Sequence, residues 1–246
     1  MRRLLGLACL SAIAVAAVVA KAAPQSLDPN VRAKIDSTPF LLKDSVNEFN
    51  SKLFKSASGN DGGNLIYSPF SLHMLLSQAY VGAPTGTDTS KELANLLSIK
   101  PGNDEDYLYN YLQVVDRLAQ LSGKRDISIQ IANKLFAAED LNIKENFKKA
   151  LERFYNSDIE KVNFKHTKET TDIINTFVSD KTKGLIGKIF DEDALDGLSR
   201  LVMVNAIYFK GKWKFPFESE NTETQKFHVD ANREVKGILS EAKLLS

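Results

Sequence analysis

Leu201–Phe217 reads Leu-Val-Met-Val-Asn-Ala-Ile-Tyr-Phe-Lys-Gly-Lys-Trp-Lys-Phe-Pro-Phe. Its first half is apolar, branched and aromatic, the composition of a strand covered on both faces. Asn205 interrupts that run. An amide inside such a strand needs hydrogen-bond partners supplied from other elements. Lys210-Gly211-Lys212 and the single tryptophan, Trp213, stand at the strand's end. A strand this apolar requires neighbours, and only 29 residues follow Phe217.

The rest of the chain alternates helical and extended signals. Residues 23–37 read as a short polar lead-in. Val46, Phe49 and Leu53 recur at helical spacing and predict a helix over Phe40–Ser56. Asn64–Tyr67 reads as a short strand. Ser68-Pro69 then opens a helix, serine as N-cap and proline at the first helical position. That helix runs to about Val81, is apolar nearly all round, and is expected to be buried. Thr89-Ser-Lys-Glu92 has the form of a capping box for a helix ending at Leu97. Further helices are expected over Glu105–Ser122, Lys144–Tyr155 and Thr170–Lys183, the last with Gly184 as its C-cap. Strands are expected over Ile127–Phe136, Ile159–Phe164, Leu201–Lys210 and Thr222–Val229. No repeat or low-complexity linker breaks the pattern, which makes one α+β unit.

The N-terminus has a basic Arg2-Arg3, an apolar run over Leu4–Ala20, and a small-x-small site at Ala20-Lys21-Ala22. Residues 1–22 are therefore expected to be a signal peptide cut after Ala22, leaving a secreted, extracellular chain from residue 23, with a signal anchor retained in the membrane as the alternative. The one cysteine, Cys9, lies inside that leader. A secreted chain without disulfides must be held by its core. Net charge is +1 and gives no argument for nucleic acid. The three histidines, His73, His166 and His228, are far apart in sequence, so no metal site and no cofactor are expected. No serine sits in a Gly-x-Ser-x-Gly elbow, and no catalytic residue is assigned.

Four segments in order carry a resemblance. They are Asn64-Leu-Ile-Tyr-Ser-Pro-Phe-Ser71; Ile174-Asn175 followed by Thr182-Lys-Gly-Leu-Ile186; Val204-Asn205 through Trp213; and Phe227-His-Val-Asp230. Together they resemble the serpins, the serine protease inhibitors, over roughly residues 38–236. The resemblance implies N-terminal helices packed on a large mixed sheet, incomplete at the C-terminus. It places Ser68, Ser71 and Asn205 in the shutter, a hydrogen-bonded cluster beneath the point where the sheet parts. It places Trp213 at the breach, where an inserting loop first enters. Taken residue by residue, Ser68 is also an ordinary N-cap, Asn205 an incidental buried amide and Trp213 a core aromatic. Asn175 and Thr182 read as packing and capping groups.

The turn Gly82–Thr89 is longer than the family's usual one, a surface change of small cost. After Val235-Lys236 the family continues through a hinge and a reactive-centre loop, and Gly237–Ser246 resembles neither. Residues 23–246 are thus expected to form a partial domain in which the reactive bond is absent. The implied role is a secreted serine protease inhibitor acting by suicide-substrate loop insertion, with serine proteases as partners of a full-length form. The chain alone is expected to be non-inhibitory and to self-associate. A non-inhibitory carrier or interaction fragment, a splice form and an incomplete gene model are the alternatives. The helix Glu105–Ser122 carries one cation, Arg117, against three acids, so no heparin-like polyanion is expected there.

Overall fold

The computed structural model describes residues 27–58, 65–100, 102–122, 126–217, 219–229 and 231–240. The expected signal peptide, residues 1–22, lies outside them. The described residues form two compact units, one running to Lys210 and one from Gly211 onward.

In the larger unit the elements follow as α1 (Pro29–Ser37), α2 (Leu42–Ala57), α3 (Pro69–Gly82), α4 (Asp88–Leu97), α5 (Asp104–Ser122), β1 (Ile127–Ala138), α6 (Glu145–Tyr155), β2 (Asp158–Val162), α7 (Thr167–Thr182) and β3 (Leu201–Gly211). The strands form a sheet in the order β2-β1-β3. β1 and β2 are parallel, with Leu135 opposite Ile159. The Ala138 N–H donates to the Arg200 carbonyl, and Asn133 meets Asn205, so β3 runs antiparallel to β1. The sheet is therefore mixed.

Successive residues of β1 face opposite sides, as the period of a strand dictates. Leu135 joins a core built with Phe49, Met74, Leu97, Tyr111 and Leu151 from the helices α2 to α6. Phe136 and Ala138 join a second core with Ile174 and Val178 of α7, Val162 and Val204. Helices thus cover both faces. On β3, Val204, Ala206 and Tyr208 are buried, whereas Leu201 and Phe209 are exposed and the residues between are half-open. The expectation of burial on both faces does not hold for this strand. One face is covered, and the other is half-open, with Met203 against the first core and Asn205 against the start of α3.

Three local expectations are also corrected. Residues 29–37 form α1 rather than a lead-in, because Asp28 caps it from Oδ1 and Pro29 opens it. Residues 65–67 form no strand, and Leu65 and Ile66 are exposed; Asn64 lies outside the described residues. α4 is capped by Thr87, which accepts from the Ser90 N–H, two residues before the expected box.

The smaller unit holds a short 3-10 turn at Ser219–Asn221 and a hairpin of β4 (Thr222–His228) and β5 (Glu234–Ser240). The two strands are antiparallel, with Lys226 opposite Lys236.

Candidate functional site

α3 positions the site. Its N-terminus is fixed by Ser68, whose hydroxyl accepts the Ser71 N–H at 3.3 Å, and by Pro69 at the first helical position. α3 was expected to be buried through its apolar side chains. Instead its most deeply buried residues are largely polar: Ser71, His73, Ser77 and Gln78, with Met74. Helical spacing sorts them onto two faces. Ser71, Met74 and Gln78 follow one stripe, and His73 and Ser77 another.

The first stripe meets the sheet. The Ser71 hydroxyl donates to Oδ1 of Asn205 in β3. Asn205 Nδ2 donates at 2.6 Å to Oδ1 of Asn133 in β1. Asn133 Nδ2 reaches Met74 Sδ at 3.2 Å and the Tyr155 carbonyl, at the end of α6, at 3.4 Å. A continuous chain of polar contacts thus runs from Ser68 through Ser71, Asn205 and Asn133 to the end of α6. It ties one helix terminus to two adjacent strands inside a mostly apolar layer. In that setting each member depends on the next, because an orphaned amide or hydroxyl forfeits its lost hydration.

Ser68, Ser71 and Asn205, singled out in the sequence, are brought together. Trp213 is placed in the smaller unit, where it stacks edge-on to Phe217 with ring centroids 6.4 Å apart. Its side chain is 73% exposed, so the reading as a core aromatic does not hold. Asn133 was missed. It lies between Ala132 and Lys134 in a strand that also carries Ser128 and Gln130, so it lacks the uniformly apolar setting that marks Asn205 in β3.

The second stripe meets the helices. The His73 ring is fully buried. Nε2 lies 2.8 Å from Ser45 Oγ of α2 and 3.0 Å from the Leu97 carbonyl at the end of α4. Nδ1 lies 2.5 Å from the Tyr111 hydroxyl of α5. Burial pulls the His73 pKa down to about 4, although the Leu97 carbonyl pulls the other way. Burial also raises the Tyr111 phenol well above its usual range.

Elsewhere, Asn175 and Thr182 do as expected of packing and capping groups. Asn175 Oδ1 accepts from the Ile189 and Phe190 N–H groups, and its Nδ2 donates to the Phe190 carbonyl. The Thr182 hydroxyl donates to the Val178 carbonyl at 2.7 Å and accepts the Ile186 N–H at 3.0 Å. His166 and His228 are exposed beside Glu169 and Glu234 and take no part in the buried clusters.

The chain is similar to known proteins in both sequence and fold. Serpin B6 of Macaca fascicularis is 29% identical over 195 residues, covering 79% of this chain and 51% of the relative. Iripin-3 of Ixodes ricinus is 33% identical over 184 residues, covering 74% and 46%. The chain spans about half the length of the curated relatives it matches. Among solved structures, cleaved Serpin 42Da superimposes with a TM-score of 0.67 at 30% identity, over 80% of this chain and 50% of that one. Ovalbumin from emu, Dromaius novaehollandiae, shares the fold with a TM-score of 0.73 at 22% identity, over 81% and 54%. The family model described as "Serpin (serine protease inhibitor)" matches residues 44–238, and the chain belongs to the serpin family.

Proposed function

We propose that this chain carries the sheet-opening half of a secreted serine protease inhibitor. The observation that supports this is the polar chain Ser68–Ser71–Asn205–Asn133, which sits where β3 meets β1 and α3. In the inhibition we propose, a protease serine attacks the carbonyl of a reactive loop. An ester forms to the loop, the peptide bond breaks, and the new amine leaves. The cut loop then adds as a strand beside β3 and carries the protease with it. The inhibitor supplies no acid, base or nucleophile. Its part is to hold the sheet closed beforehand and to let it open on cue. Ser68, Ser71 and Asn205 act as the shutter, now with Asn133 among them, and Trp213 acts at the breach where the loop enters. The basic n-region and Ala20-Lys21-Ala22 support export, with residue 23 as the new N-terminus.

Residues 23–246 hold the framework without the bait. Expressed in secreting cells, the protein should reach the medium with an N-terminus at Ala23. Mixed with trypsin-like and chymotrypsin-like proteases, it should give no higher-mass band on a denaturing gel. A product whose reading frame continues past Lys236 into a reactive loop should give that band. Retention of the leader in membranes would end the secretion reading. A stable covalent band from residues 23–246 would end the assignment of this half as framework alone. A longer product that is cleaved without trapping protease would favour a non-inhibitory carrier.

A further inference from the structure

Among the described residues, His73 is a fully buried titratable group that protease inhibition does not use. It stands at a junction of four helices: its own α3, α2 through Ser45 and Phe49, α4 through the Leu97 carbonyl, and α5 through Tyr111. We propose that His73 is an acid-sensitive latch, which holds α2, α4 and α5 to α3 while its ring is neutral and releases them when it takes up a proton.

The neutral ring fits its partners in one tautomer. The Leu97 carbonyl is an acceptor only, so the proton belongs on Nε2, shared with Ser45 Oγ. The Ser45 hydroxyl in turn donates to the same carbonyl at 2.6 Å. Nδ1 is then the acceptor for the Tyr111 hydroxyl. A second proton would sit on Nδ1, facing a group that now donates to it. The resulting cation would also lack a counter-ion. From α2 the nearest acids, Asp44 and Glu48, point to solvent, and Glu48 pairs with Lys52. From α5 the ring meets the Tyr111 phenol. Its buried carboxylate, Asp116, is engaged by Arg32 at 2.8 Å and by Gln120. From α6 comes Tyr155, stacked on Tyr111 with centroids 5.0 Å apart. Only the C-terminal carbonyl of α4 favours the charge, and burial outweighs it.

The direction follows by linkage. When the junction opens, the ring regains an ordinary pKa near 6.5, whereas inside it the value is about 4. Between those values the open state binds more protons than the closed one, so closure weakens as pH falls. Above about pH 6.5 the latch is at full strength, and below about pH 4 no further loss comes from this group. At pH 5 the opening equilibrium should be roughly 20-fold larger than at pH 7.

The latch does not depend on protease inhibition and is tested without it. Hydrogen exchange read by mass spectrometry, corrected for intrinsic rates, compares residues 69–82 at pH 7 and pH 5. Wild type should open roughly 20-fold more at pH 5. His73→Gln should lose most of that difference. His166→Gln and His228→Gln, at exposed histidines, should keep it. Equal opening at both pH values in wild type, or an undiminished difference in a folded His73→Gln, overturns the proposal. Should His73→Gln fail to fold, exchange of the His73 C2 hydrogen in wild type decides. Titration near 4 supports the latch, and titration near 6.5 overturns it.

Discussion

Asn205 is tolerated in β3 because Ser71 and Asn133 complete it, and either neighbour is equally dependent on Asn205. Replacing Asn205 by alanine leaves the Ser71 hydroxyl and Asn133 Oδ1 without their partners. The expected loss is about 1–3 kcal/mol. Asn133→Ala should cost a similar amount. Because both changes break the same contact, the double variant should lose less than the sum, with a coupling of about 1 kcal/mol. Urea unfolding of the four proteins at low concentration measures the cycle. Strict additivity would mean that the two amides are satisfied separately. Half of this pair was legible in the sequence. Asn205 stood out because its strand is uniformly apolar, and a family resemblance marked it. Asn133 sits in a strand whose first half alternates with Ser128 and Gln130, so one more polar residue drew no attention. The pairing itself spans 72 residues of sequence and follows from strand order, which no local pattern encodes.

Terminal chemistry by itself did not decide which elements were legible: α3 was read from its start, α1 was not, and α2 was read from its periodicity although its N-terminus is served by another helix. Ser68-Pro69 announced α3 correctly, and the same device in Asp28-Pro29 starts α1. α1 has one fully buried apolar residue, Ile35, so its periodicity is faint. It is held by Ile35 and Val31 against the first core, together with a tertiary ion pair between Arg32 and the buried Asp116 of α5. α2 has no side-chain cap of its own. Asn110 of α5 accepts the N–H groups of Leu41 and Leu42 and donates to the Pro39 carbonyl, a service invisible in the local sequence. The end of α7 differs from expectation in a testable way. Lys183, not Gly184, is the first left-handed residue, at φ 55°, and Gly184 follows at φ 79°. A lysine there bears strain that glycine does not. Lys183→Gly should therefore stabilise the protein by about 0.5–1 kcal/mol, while Gly184→Ala should destabilise it by about 1 kcal/mol. In a domain of this size such changes move the melting temperature by about 2–4 °C per kcal/mol. A lower melting temperature for Lys183→Gly would show that its side chain contributes more than the backbone strain costs.

At the scale of the molecule, most helices and strands were legible because their hydrophobic periods are strong, whereas the mixed sheet was implied by the family resemblance alone. Among the described residues β3 is an edge of its sheet, with Leu201 and Phe209 exposed. Such an edge is a template for strand addition by another copy. Residues 23–246 should therefore elute from a sizing column as oligomers whose mass rises with concentration, read by light scattering. A sharp monomer with a cooperative melt would mean that the edge is protected. The strand order has a consequence in time as well. β1 obtains its first neighbour, β2, by Val162, whereas its second is complete only at Gly211. At a synthesis rate of about 5–20 residues per second, the ribosome needs roughly 2–10 s to cover that interval. Throughout it, Asn133 waits on a growing chain with no Asn205 to meet. A chaperone or a misplaced strand has those seconds in which to compete for the same flank of β1.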